Sequence, residues 1–458
     1  MEPAASNLVR GGFYLFVDLV IGSLAGWGFW LVISKLTTPS EIGLATTAVS
    51  LVGLIAAFFG LGLEFPLLRE ISGARAAFGT LLAFELLVLA LLAPILYVSG
   101  VAIYGASFTP YMALGIGLLL LSGLDLVTRY SALGLLQSRT VMIYDTVGSA
   151  VRFGVGVALV LLGLGGIGIL SAAIVQGAVI AAALFLLVYS RLGFQYGGRI
   201  ELVRLLKMGL SNLPGRAAGL VMGSLSIVLL AAVTANPAAV GLFFIALAFS
   251  SVAAGFARSL ATMALPVSGA LQADASTLSL RLGLAITTPL LTGFVAAPGF
   301  VLALVGPAYV AASEVLRILA IGALPLIVLG NVITRLNHVR RLRPLITLGA
   351  IQLAAFLVLF ALLTPRLHEV GAALAILLSA AGASIYALPW VSRESFRSIG
   401  VAALALAAGW GMAVLAGPLP PFALFLGALA LGLLIVVGTR ELTLRQAGAL
   451  VRLLIRGG

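Results

Sequence analysis

The 458-residue chain has no cysteine and only two histidines, His338 and His368. The first absence excludes disulfides, thiolate metal sites and cysteine nucleophiles. The second leaves too little imidazole for a histidine-rich metal centre. Charge is scarce too: 9% of residues carry it, against about a quarter in an ordinary soluble domain. No Gly-x-x-x-x-Gly-Lys-Ser/Thr phosphate loop occurs, so the chain is not expected to hydrolyse ATP or to need a cofactor for doing so.

What is present is apolar: 62% of residues are hydrophobic. A membrane span needs about 20 apolar residues to cross roughly 30 Å of hydrocarbon, and such runs follow one another almost without pause from Phe13 to Gly438. The reading is an all-α polytopic membrane protein of about fourteen transmembrane helices, opening with 12–36 and 42–63 and closing with 398–416 and 420–438. The first run follows Arg10 as a signal peptide's would. It is longer than the roughly 7–15 residues of such a segment and lacks a small-residue cleavage site, so it is expected to remain as an uncleaved span.

The formal charge of +12 would point to nucleic acid in a soluble protein. Here its distribution sets a topology instead, and no nucleic-acid partner is expected. With the N-terminus inside, only Lys35 and Arg366 of the 26 basic residues fall on the outer face, while Arg152, Arg216 and Arg317 lie within spans and the others gather on the cytoplasmic side. That is the positive-inside bias. It predicts a multi-pass protein of the cell membrane with both termini cytoplasmic, and a monomer is expected. Outer connections are very short, as at 36–41, 163–166, 234–237 and 417–419.

The longest polar stretch, centred on 191–207, reads as a linker between two six-helix halves, an N-lobe at 1–190 and a C-lobe at 208–392. Residues 393–458 add helices thirteen and fourteen and a basic amphipathic tail expected to lie on the inner leaflet. The halves repeat weakly. Ser6-Asn7-Leu8 answers Ser211-Asn212-Leu213, the turn Pro39–Gly43 answers Pro237–Gly241, and the exit Ile71–Ala74 answers Val267–Ala270. Both copies begin inside, so the repeat is parallel, about an axis along the membrane normal. Glycines four apart, Gly22 with Gly26 and Gly219 with Gly223, invite close helix approach.

An ionised side chain mid-bilayer costs about 2.5–3.5 kcal/mol on insertion scales, so each needs a partner or a purpose. The deep set is Asp18, Glu85, Asp125, Asp145, Arg152, Arg216, Glu314 and Arg317. Asp125 and Arg152 each lie about eleven residues from the cytoplasmic end of their helices, roughly 16 Å at 1.5 Å per residue, which invites a salt bridge. That bridge is either self-neutralising or part of a water-lined site. Asp145 shares a helix face with Arg152 and offers it a second partner. Arg129 follows Asp125 by four, Arg216 follows Asn212 by four, and Glu314 with Arg317 reads as an ordinary intrahelical pair. Glu85 has no evident local partner and is read as a neutral acid or as a coupling group for a proton or sodium ion. Arg69, Arg129 and Arg258, near cytoplasmic helix ends, either snorkel to lipid headgroups or ring the mouth of a cavity, where guanidinium would bind phosphate bidentately.

The segment from Asn7 to Ser72 carries further features: Asn7 and Arg10 before the first helix, the Lys-Leu-x-x-Pro-x-Glu-x-Gly turn from Lys35 to Gly43, and Gly60, Gly62 and Arg69-Glu70 at the end of the second helix. In these it resembles polysaccharide flippases of the Wzx type, in the multidrug/oligosaccharidyl-lipid/polysaccharide exporter superfamily. It departs from them in Lys35, where arginine is commoner, and Thr38, where glycine is usual. The resemblance implies two lobes rocking about a central cavity in which a lipid-(di)phosphate-linked oligosaccharide is held, its lipid tail left in the bilayer. The (di)phosphate is then expected at Arg10, Arg69, Arg129 and Arg258 and, deeper, at Arg152 and Arg216. Asp18, Glu85, Asp125 and Asp145 would balance charge or couple to Na+ or H+. The remaining partners expected are membrane lipids and glycan-assembly proteins. A multidrug exporter of the same architecture is the alternative, and a membrane glycan polymerase or ligase is disfavoured by the short outer loops.

Overall fold

The computed structural model describes residues 3–60, 62–71, 75–210, 221–271, 276–339, 341–415, 419–439 and 441, and no strand occurs among them. The helices are α1 (Pro3–Leu36), α2 (Pro39–Phe59), α3 (Glu64–Glu70), α4 (Arg75–Tyr104), α5 (Thr109–Gly134), α6 (Ser138–Leu161), α7 (Gly165–Leu192) and α8 (Gly198–Leu210). There follow α9 (Ser226–Thr234), α10 (Pro237–Leu271), α11 (Ser276–Ala296), α12 (Pro298–Val305), α13 (Ser313–His338), α14 (Leu342–Ala387), α15 (Arg393–Leu415) and α16 (Pro421–Gly438).

Eleven helical stretches among the described residues are long and apolar enough to cross a membrane, and the shorter apolar helices Val20–Leu36 and Gly223–Thr234 supplement them. One of the eleven, Arg343–Trp390, is double, because α14 breaks at His368, whose φ of 50° is not helical. Gly371 closes that turn, and a Cβ there would stand 2.5 Å from the Leu363 carbonyl oxygen. The all-α polytopic fold and its helix complement follow from this arrangement.

The chain divides into two compact units, Met1–Phe244 with Leu362–Ala372, and Ile245–Ala361 with Ala373–Gly458. In the first unit, Leu63, Leu67, Phe78, Leu81, Ile180, Leu184 and Leu205 form one buried cluster. Leu205 belongs to α8, so much of the segment expected as a linker is a packed amphipathic helix. The backbone N–H of Gly197 donates to Thr80 Oγ1 at 2.8 Å and holds its start against α4.

In the second unit the two helices expected as an appendage are built into the bundle. The α15 and α16 helices pack on α11 through glycines: Gly409 lies against Thr292, Gly432 against Pro289, and Gly293 against the Phe425 ring. Just beyond α16, the buried Glu441 accepts from Ser398 Oγ at 2.7 Å and lies 3.4 Å from Arg397 Nε, while its carbonyl accepts from Arg281 Nε at 3.0 Å. The rest of the expected amphipathic tail lies outside the described residues.

The repeated turns have a physical explanation inside the first unit. Thr38 caps α2, its Oγ1 accepting from the Glu41 N–H at 3.3 Å, with Pro39 at the first helical position. Asn236 caps α10 in the same way, its Oδ1 accepting from Ala238 N–H at 3.0 Å, with Pro237 following. Five residues after each cap comes a glycine. A Cβ on Gly43 would overlap the Pro237 carbonyl oxygen, and a Cβ on Gly241 would overlap that of Pro39. The contact is reciprocal, as a local two-fold relation requires. Glu41, the remaining residue of the motif, bonds Thr37 Oγ1 and lies against Gly165 at the start of α7, where a carboxylate suits the helix dipole.

The expected close approach at Gly22, Gly26 and Gly223 is not found: a Cβ on any of them would meet nothing within 4 Å. Gly219 lies outside the described residues. Gly43→Ala and Gly241→Ala should therefore each lose about 1–3 kcal/mol through overpacking, read as a lower midpoint of thermal unfolding in detergent. Gly117→Ala, in α5 with open space around it, should hold or gain stability. Equal effects at the three positions would refute the crossing.

Candidate functional site

Three helical stripes meet on α1, α6 and α7. On α1 the residues Asp18, Gly22, Ala25, Gly26 and Phe29 recur at helical spacing, and on α6 so do Asp145, Ser149 and Arg152. Gln176 and Ile180 do the same on α7, and with Arg129 of α5 and Ser23 they line a cavity of about 430 Å³ inside the first unit. Gly22 and Gly26 thus leave space instead of joining helices, because no side chain fills the wall they form.

At one end sits an ion cluster. Arg129 donates Nε and Nη2 to the two oxygens of Asp125, both at 3.0 Å. It also donates Nη1 and Nη2 to the two oxygens of Asp145, the second at 2.8 Å. The guanidinium is bidentate to both carboxylates, the geometry its planar fork favours. Its side chain is 24% exposed, and those of Asp125 and Asp145 are 28% and 14% exposed. Asp18 reaches the same cluster, with its carboxyl at hydrogen-bonding reach of Asp145.

Arg152 stands apart. Its guanidinium carbon lies 4.6 Å from the centroid of the Phe29 ring and 5.8 Å from that of Trp30. Nη1 points at Gln176 Oε1 from 3.5 Å, at the limit of a hydrogen bond. Its Nε is buried with no hydrogen-bond partner. Among the described residues no carboxylate forms an ion pair with it.

The expected Asp125–Arg152 bridge is therefore corrected, and so is the second partnership with Asp145. Asp125 turns to the arginine one turn along its own helix, and Asp145, a full two turns from Arg152, joins that arginine instead. The expected Glu314–Arg317 pair is present, and Arg317 Nε also donates to the Val295 carbonyl at 3.0 Å. Glu85 is fully buried in α4 beside Gly60 and Gly123, outside the cavity, and it is not isolated as its sequence context implied. Arg10 and Arg69 lie on α1 and α3, but their side chains fall outside the description, as Arg216 does entirely. Arg258 lies on α10 in the second unit.

Sequence reading missed Phe29, Trp30, Ser23, Ser149 and Gln176. The one available signal was Gln176, a lone amide within the apolar run of α7. The aromatic pair is indistinguishable from core without the arginine beside it.

No family model matches the chain, and no curated protein does. Solved structures do. "Lipid II flippase MurJ, inward closed conformation" matches with a TM-score of 0.65 and 13% identity over 98% of this chain and 100% of that one. An inward-facing multidrug resistance MATE family transporter of the MOP superfamily matches with a TM-score of 0.59 and 16% identity over 84% and 96%. A MOP superfamily transporter from Pyrococcus furiosus, described as having a binding pocket of reverse polarity, matches with a TM-score of 0.53 and 14% identity over 87% and 97%. The chain has the fold of these transporters, all-α and polytopic as the sequence resemblance implies.

Replacing either cavity arginine separates their roles. Arg129→Gln leaves two shielded carboxylates without their cation and should cost about 3–5 kcal/mol. Arg152→Gln removes a cation–π contact and a long hydrogen bond and should cost about 1 kcal/mol or less. Thermal unfolding in detergent measures both, and equal losses would contradict the assignment.

Proposed function

We propose that this protein is a flippase, moving a lipid-(di)phosphate-linked oligosaccharide or polysaccharide unit from the cytoplasmic to the outer leaflet of the plasma membrane by alternating access. The observation that carries the reading is Arg152, a guanidinium lining a polar cavity with a buried, unpartnered Nε and no carboxylate pair among the described residues. Keeping such a group in the membrane is expensive unless an anion meets it. Phosphate, which guanidinium binds bidentately, is the anion that a lipid-linked sugar supplies.

In this mechanism Arg10, Arg69 and Arg258 draw the headgroup in, and Arg152 and Arg216 engage it more deeply. Arg129 acts at one remove, holding Asp125 and Asp145 in place. Asp18 and Asp145 supply the negative charge that a coupling Na+ or H+ would answer, and Glu85 and Asp125 balance charge. The chain works without ATP hydrolysis, as a transporter and not an enzyme, with both termini cytoplasmic, as a monomer beside glycan-assembly proteins.

One observation favours a second reading. Asp18 and Phe29 both line the cavity, with Trp30 beside Phe29, and a cavity that offers a carboxylate and an aromatic ring suits an organic cation, as for a drug exporter.

Reconstituted vesicles loaded with a fluorescent lipid-diphosphate sugar decide between them. Wild-type protein should move the probe between leaflets, and Arg152→Gln should slow it by tenfold or more. Retained drug export with no sugar translocation, in wild-type protein, would sink the flippase reading. Loss of the protein in its native host should leave lipid-linked glycan on the cytoplasmic side.

A further inference from the structure

The cavity is not simply an anion site. Its walls carry Asp18 and Asp145 against Arg129 and Arg152, with Asp125 behind Arg129. Two carboxyls as close as Asp18 and Asp145 share one proton. The three carboxyls and Arg129 then sum to one negative charge, which Arg152 balances. Arg129 is fully engaged by two of the carboxylates, so the negative charge is left at the Asp18–Asp145 end. The free guanidinium edge sits at the Arg152 end. A cavity of this volume is about 9 Å across if spherical, so the two ends feel each other strongly at low effective dielectric. A bare phosphate entering it would meet Arg152 and, across the cavity, uncompensated carboxylate. A group with an anion at one end and a cation at the other would satisfy both.

We infer that the cavity takes a dipolar headgroup, an amino-sugar phosphate, with the phosphate at Arg152 and the sugar's ammonium between Asp18 and Asp145. This rests on the flippase reading and narrows its substrate class. Ser23, Ser149 and Gln176 supply the hydroxyl and amide groups that sugar hydroxyls require, and the volume falls in the range of small-molecule pockets. The charged groups facing Asp18 are Asp145 and Arg129 from α6 and α5, with Asp125 behind Arg129. With Arg129 committed, a substrate ammonium takes the place of the proton that Asp18 and Asp145 share. A consequence follows for exchange: a sodium ion or proton arriving at Asp18 competes with the ammonium, so entry of the ion loosens the sugar.

Calorimetric titration of the purified full-length protein just below neutral pH tests this, with glucose 1-phosphate, glucosamine 1-phosphate and glucosamine as probes. Glucosamine 1-phosphate should bind about tenfold or more tightly than either of the others. Asp18→Asn should abolish that preference while binding glucose 1-phosphate at least as well as wild type, and Arg152→Gln should lose both phosphates. Sodium chloride should weaken glucosamine 1-phosphate more than an equal ionic strength of a large organic cation does. Asp145→Asn reads the same end if Asp18→Asn proves unstable. If glucose 1-phosphate binds in an Arg152-dependent way but the amine adds nothing, or the preference survives Asp18→Asn and Asp145→Asn, the dipolar proposal falls and the flippase reading stands. If no sugar phosphate binds through Arg152, the flippase reading falls with it.

Discussion

A guanidinium held between two carboxylates governs the charge inside this bundle. Arg129 satisfies Asp125 through the spacing of one helix and Asp145 through the packing of α5 on α6. Because it absorbs both, it leaves Arg152 on the next stretch of α6 with no carboxylate paired to it among the described residues, and Asp18 on α1 facing an arginine already engaged by two other acids. In the proposed mechanism the two residues that meet the substrate are those that the cluster leaves over. Had Asp125 bridged to Arg152, the cavity would be electrically quiet and its arginine merely structural.

The cavity also needs room, and α1 provides it by what it omits. Gly22 and Gly26 face no neighbour within contact distance, so the wall between Asp18 and Phe29 is lined by backbone and small side chains. Phe29 closes the far end, itself buried and edged by Trp30 and Phe153, and gives Arg152 a π-face in place of water. One stripe of one helix thus carries the acid, the space and the lid.

Much of this is legible in the sequence. Uninterrupted apolar runs and one-sided basic loops predict the helices, because the bilayer allows few alternatives. The paired turns at Pro39 and Pro237 were visible as a repeat, and Arg129 was seen to share a face with Asp125. What stayed hidden depends on rotation about helix axes. Spacing places Asp125 and Arg152 at equal depth but does not say which faces meet, and depth alone proposed the wrong bridge. Glycine pairs read as packing motifs for the same reason: a missing side chain makes a close contact or a void, and sequence does not distinguish them. The glycines that do bring backbones together, Gly43 and Gly241, were noticed only as parts of a turn.

That crossing has an implication for how the two halves of the chain change over time. It is made of main chain, with each glycine accommodating the carbonyl of the other copy's proline. A joint without interlocking side chains has no rotamers to repack when its members part and meet again. It also cannot be repaired from within one half, since a methyl group added to either copy strikes an atom that every residue type possesses. Each duplicated half therefore keeps its glycine on behalf of the other, and this turn should resist divergence long after the flanking helices have lost visible kinship.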